Sequence, residues 1–141
     1  AHCPYVLHLD DHMANAFNQR IKQGMGFVAI SSNDVINYPQ DHPDRLKEQA
    51  LHRGFQFPYL YDEDQTAAKA FGAVCTPDFF MYNNDGLLIY RGRYDGSNHK
   101  NDEHLDGKDL LSAIDAHLDN QIIDANQLAS AGCSIKWKNN L

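Results

Sequence analysis

The sequence predicts an α/β protein: a mixed, mostly parallel sheet with helices on both faces, closed by an antiparallel hairpin. Two observations carry this. Segments whose apolar residues recur at helical spacing alternate along the chain with short apolar runs of strand length. Further on, Asn84-Asp85-Gly86 separates two such runs and supplies the turn chemistry of a hairpin.

The elements follow in order. Leu9, Met13, Phe17 and Ile21 recur at helical spacing, with Asp10, Asn18 and Lys22 between them, which predicts a helix over 5–22 ended by Gly24 and Gly26. Gly26-Phe27-Val28-Ala29-Ile30 is a short, partly β-branched apolar run, as in a buried strand. Asn33 to Pro43 is a polar loop. Asp44, after Pro43, is placed to cap a helix running to Arg53 and closed by Gly54. A second strand is predicted over 57–61, where Phe55, Phe57, Tyr59 and Tyr61 alternate as sheet packing. Asp62-Glu63-Asp64 then turns into a short helix over 66–71, a place where negative charge is favoured, and Gly72 stops it. Residues 79–82 and 87–91 are the hairpin strands. After a polar loop at 95–106, Leu110, Leu111, Ile114 and Leu118 mark one face of a helix over 107–120. The remainder is an irregular tail. One domain over residues 1–120, with the tail 121–141 packed on it, is therefore expected.

The bulk numbers agree with a single packed core: 141 residues, 43% of them hydrophobic and 22% charged. The net charge of −7 argues against nucleic acid or anionic lipid as a partner. No apolar run approaches the length of a membrane span. No basic start leads into an apolar stretch, so no secretory leader is read, and of the compartments the cytoplasm is favoured. Three cysteines, Cys3, Cys75 and Cys133, are too few and too widely spaced for a disulfide framework or a zinc ribbon. One pair with a free thiol, or three free thiols, remain open.

The order of elements and its punctuation resemble the thioredoxin superfamily, a thioredoxin-like three-layer sandwich, and within it the alkyl hydroperoxide reductase and thiol-specific antioxidant (redoxin) group. The carrying residues are the His2-Cys3-Pro4 start of a helix, Pro58-Tyr59-Leu60-Tyr61-Asp62, Ala70-Phe71-Gly72, Thr76-Pro77-Asp78-Phe79-Phe80, and Asn84-Asp85-Gly86 leading to Tyr90-Arg91-Gly92. Gly132-Cys133-Ser134-Ile135-Lys136-Trp137 also resembles the ending of one subgroup. The resemblance implies a central strand preceding the redox cysteine, upstream of residue 1. It also implies a Cys-x-x-Cys motif of which Ala1-His2-Cys3 are the last three positions, which would make Cys3 the resolving partner.

Cys3 stands at a helix start with Pro4 suited to the first turn, where free amides and the helix dipole favour a thiolate, the species that attacks disulfides and peroxides. His2 can add positive charge. The plainer reading is an inert buried cysteine. The resemblance makes Thr76-Pro77 a cis-proline loop that faces Cys3 and presents backbone groups to the substrate; an ordinary proline at a strand start is the alternative. Cys75 is a second candidate catalytic thiol, able to resolve a species formed at Cys3, or else a small buried hydrophobe. Cys133 is a candidate resolving thiol if the tail folds back with Trp137 as an anchor; otherwise the tail only covers core. His8 and His12 share a helix face, and two surface histidines beside Asp10 and Asp11 are preferred there over a metal site. Neither a metal nor a cofactor is expected.

Three functions follow. The first is a thiol–disulfide oxidoreductase acting on a protein disulfide or dithiol. The second is a thiol peroxidase with Cys3 as the peroxidatic cysteine and a small peroxide as substrate, although Thr76-Pro77 stands where that family places an arginine and Arg91 and Arg93 are no obvious substitute. The third is a non-enzymatic binding module, holding a partner or copper through Cys3 and a distant histidine.

Overall fold

The first helix, α1, spans Pro4–Ile21, with Cys3 as its cap residue and Pro4 in its first turn. Its Leu9, Met13 and Phe17 face inward in the stripe that their spacing predicts. The computed structural model describes residues 1–139, so the last two positions of the expected tail, 140 and 141, lie outside the described residues. Strand β1 is Ala29–Ser31, α2 is Pro43–Arg53, β2 is Tyr59–Tyr61 and α3 is Thr66–Phe71. Strands β3, β4 and β5 are Cys75–Thr76, Phe79–Tyr82 and Leu88–Gly92; α4 is Lys108–Leu118 and β6 is Cys133–Ser134. The alternating α/β order of the sequence reading is the order observed, in a thioredoxin-like fold with helices on both faces.

Strand β1 runs parallel to β2, with Ala29 opposite Tyr59 and Ser31 opposite Tyr61. Strand β4 runs antiparallel to β5, with Phe79 opposite Gly92 and Met81 opposite Tyr90, and a register shift after Met81 sets Tyr82 opposite Leu88. The hairpin turn closes through Asn83, whose backbone pairs with Leu87 and Gly86, and Gly86 takes the left-handed φ of 77° that the turn requires. Helices α1 and α4 share one core with Phe57, Met81, Tyr90 and Tyr94. Arg20 on α1 pairs with Asp115 on α4 through two bonds of 2.8 Å. Leu46 of α2 and Ala68 of α3 are buried outside that cluster.

Among the described residues, strands β1 and β4 each pair on one side only, and a cavity of about 450 Å³ separates them, lined among others by Cys3, Ala29, Ser31, Phe79 and Met81. The facing edges of β1 and β4 therefore have no ladder partner among the described residues.

Several local readings change. The cap of α2 is His42, whose ring Nδ1 accepts from the Asp44 amide at 3.2 Å; Pro43 occupies the first helical position, so Asp44 falls inside the first turn. His8 and His12 are not free surface groups. The first bonds the Ser97 hydroxyl at 2.9 Å and the second the Tyr94 hydroxyl at 2.7 Å, because the 94–97 segment folds over that side of α1. Asp10 is fully buried, held by Gln49 and Arg53 of α2 at 3.0 Å each. Finally, the tail contains a strand, β6.

Asp95 ties the loop before α4. Its carboxylate accepts from the Ser97 amide and hydroxyl at 2.8 and 2.6 Å and from the Asp106 and Gly107 amides at 3.0 and 2.7 Å. Burial pushes its pKa up, but these four donors prevail and hold it below the ordinary aspartate value. Such a group adds stability that is present above the unfolded pKa of about 3.8 and is lost as pH falls through the lower folded value. Asp95→Asn is therefore expected to cost about 1–3 kcal/mol in urea melts at neutral pH, and the gap to wild type should close in acid.

Candidate functional site

The site forms where the start of α1 meets β3 and β6. The Cys3 carbonyl accepts from the Val6 and Leu7 amides at 3.0 Å each, which opens the helix, and no acidic residue sits in its first turn to weaken the dipole. Only 3% of Cys3 is exposed. Its Sγ donates to the Thr76 carbonyl at 3.4 Å, and the Thr76–Pro77 peptide is cis.

Strand β6 lies antiparallel on β3, with Cys133 opposite Thr76 and Ser134 opposite Cys75. Cys3, Thr76 and Cys133 thus converge from three parts of the chain. Burial alone raises the Cys3 pKa; the Thr76 and Cys133 side chains and the Val6 and Cys133 amides beside it favour the thiolate, outweigh burial and hold the thiol below the ordinary cysteine value. The Thr76 hydroxyl oxygen is buried and has no hydrogen-bond partner among the described residues, so it is free to turn to this sulfur when the thiolate forms. Cys133 moves the other way: burial, the neighbouring Cys3 thiol and its charge raise it, partly offset by Lys136. The two thiols are therefore unequal.

The other candidate residues are placed differently. Cys75 lines the cavity, its Sγ 3.7 Å from the Pro77 carbonyl, and burial with the charges of Asp78 and Cys3 pushes its pKa up to about 11. The His2 ring is turned away to Asp41: its Nδ1 lies 2.7 Å from the buried Asp41 carboxylate and the ring stacks on Tyr38 at 5.8 Å.

Residues that the sequence reading passed over hold the tail in place. Asn33 spans two anchors, donating to Asp41 at 2.9 Å and accepting from the Lys136 amide at 2.9 Å. The Asp34 amide donates to the Lys136 carbonyl at 2.8 Å. The buried Gln65 donates to the carbonyls of Ser32 and Lys136 at 2.7 and 2.9 Å and accepts from the Lys138 amide at 3.0 Å. It does so from a left-handed backbone, φ 64°, uncommon for a residue with a side chain. Ile135 is buried beneath, and Gly132 passes so close to Thr76 that a Cβ there would lie 2.0 Å from its carbonyl oxygen. That glycine was the one local signal of close approach available in the sequence.

A thiol held at a helix start against a strand edge, in this fold, defines a thioredoxin-fold redox protein. The chain belongs to the AhpC/TSA family, which matches residues 1–91. It is similar to an uncharacterized conserved protein from Geobacillus kaustophilus, with 42% identity and a TM-score of 0.96, covering 100% of this chain and 75% of that one. It is also similar to a hypothetical protein from Sinorhizobium meliloti 1021, with 38% identity and a TM-score of 0.95, covering 98% and 75%. None of the curated proteins matches it.

Proposed function

We propose that the protein carries out thiol–disulfide exchange, with Cys3 as the attacking thiol and Cys133 as its resolving partner. The observation that supports this most is the pairing of an acidified, buried Cys3 with Cys133 across Thr76. In the exchange, Cys3 thiolate attacks one sulfur of a disulfide R–S–S–R′ and R′S⁻ leaves. Cys133 then attacks the Cys3 sulfur of the mixed disulfide and RS⁻ leaves. The chain gains a Cys3–Cys133 disulfide, the substrate takes up two electrons, and the two thiol protons end on RSH and R′SH. The lower pKa supplies thiolate at Cys3. Cys133 stands opposite Thr76, whose carbonyl accepts from the Cys3 thiol, which brings it near for the second step.

The peroxidase reading receives less support. Arg91 reaches the Gly72 carbonyl at 2.7 Å and Asp78 at 3.6 Å, and Arg93 pairs with Asp109 at 2.6 Å, so both are engaged elsewhere.

Mixing the pre-reduced chain with glutathione disulfide tests the proposal. The expected result is one disulfide consumed and two thiols released per chain; release of no thiol overturns it. Cys75→Ser is expected to leave that exchange rate within about threefold of wild type, because a thiol whose pKa is about 11 supplies little thiolate near neutrality.

A further inference from the structure

An extended peptide commonly docks beside a reactive group by adding a strand to an exposed sheet edge. Next to Cys3 that edge is β3, and it is already taken: Thr76 and Cys75 pair with Cys133 and Ser134 of the same chain. The occupying segment is fastened rather than loosely laid. Asn33, Asp34 and Gln65 satisfy both backbone groups of Lys136 and the amide of Lys138. Ile135 is buried, and Gly132 allows the chain to pass against Thr76. Residues 119–126 leading in are mostly exposed, and Gln127, Leu128 and Ser130 are bonded to β5 and Arg93, so the part able to lift begins after Ser130.

We infer that residues 132–138 are a built-in strap seated where a polypeptide substrate would pair, so that the closed protein exchanges with small disulfides and is shielded from polypeptide disulfides until the strap lifts. This rests on the thiol–disulfide reading above. Cys3 is almost wholly covered while Cys133 is half-buried, so an incoming disulfide has to be narrow enough to enter beside Cys133. A folded or extended polypeptide would need the Thr76 edge, and a tethered strap competes for it at a high effective concentration.

The test compares the pre-reduced chain with Gln65→Ala, which removes two strap bonds, and Gly132→Ala, which drives a methyl group into the Thr76 carbonyl. Each is mixed with glutathione disulfide and with insulin. Because the strap carries Cys133, the rate compared is that of the first step, formation of the mixed disulfide at Cys3: either variant is expected to raise it about tenfold with insulin and to leave it within about threefold with glutathione disulfide. Trp137, the only tryptophan, lies on the strap, so its emission should shift to the red in the same variants. Wild-type protein that reduces insulin as fast as glutathione disulfide overturns the inference even if both variants fail to fold. So does an unchanged insulin-to-glutathione rate ratio in a folded variant. Cys3→Ser separates the two readings: if it still exchanges with glutathione disulfide, the function proposed for Cys3 falls, whereas an inactive Cys3→Ser alongside unchanged strap variants removes only the strap.

Discussion

Cys3→Ser is expected to slow exchange with a small disulfide by at least about a thousandfold, the scale on which enzymes lose rate when their nucleophile is removed. The change is nearly isosteric, and the serine hydroxyl can still donate to the Thr76 carbonyl as the thiol does at 3.4 Å, so the fold should survive with an unchanged circular dichroism spectrum. The pH profile carries a second expectation. The thiolate forms as pH rises through the Cys3 pKa, and the groups beside the sulfur hold that pKa below the ordinary cysteine value. The wild-type rate should therefore rise with pH and level off earlier than it does for an unperturbed thiol. Thr76→Val removes the side-chain donor and should move that plateau to higher pH. A rate that keeps rising through the ordinary cysteine range would contradict the geometry assigned to Cys3.

The largest effect on stability is expected at Phe17. Its side chain is 6% exposed, its ring stacks on Phe27 at 4.1 Å, and it meets Phe57 and Tyr94 nearly edge-on at 5.7 and 6.4 Å. It therefore joins α1 to the sheet from the centre of the main core. Phe17→Ala removes most of a buried ring and leaves a cavity that α1 and its neighbours can only partly fill, at a cost of about 3–5 kcal/mol. Urea unfolding should show a lowered midpoint with an unchanged slope. Leu51 on α2 is 85% exposed, and Leu51→Ala should stay within about 0.5 kcal/mol. Equal effects at the two positions would contradict the core as described.

Local chemistry announced most of the fold. The apolar stripe of α1, the left-handed glycines at 54 and 72 that end α2 and α3, and the Asn84-Asp85-Gly86 turn each act over a few residues, so spacing and turn preferences were enough to place them. The apolar run 26–30 predicts a strand from residue 26, and the observed strand begins only at Ala29. Only Ala29–Ser31 has a ladder partner, and Phe27 belongs to the core through its contact with Phe17. Partner positions are a property of the whole sheet, which no window of sequence contains.

The site divides in the same way. Cys3 could be singled out from Pro4 and the helix it begins, because the dipole and the free amides are local to that turn. The place of Cys133 could not. Strand β6 is two residues long, without any periodicity, and its partner Thr76 lies far back in the chain. Asn33, Asp41 and Gln65 are ordinary polar residues in loops, and their roles exist only once the strap and the Ser32–Asp34 turn are brought together. The burial of Asp10 likewise depends on α2 arriving with Gln49 and Arg53.

The most direct test of the account is to map the thiols of the full chain after one round of exchange with glutathione disulfide, by alkylation and peptide mass analysis. The account predicts a Cys3–Cys133 linkage, with Cys75 recovered as the alkylated free thiol. A chain in which Cys3 is recovered as a free thiol, or is joined to Cys75 instead, would contradict it.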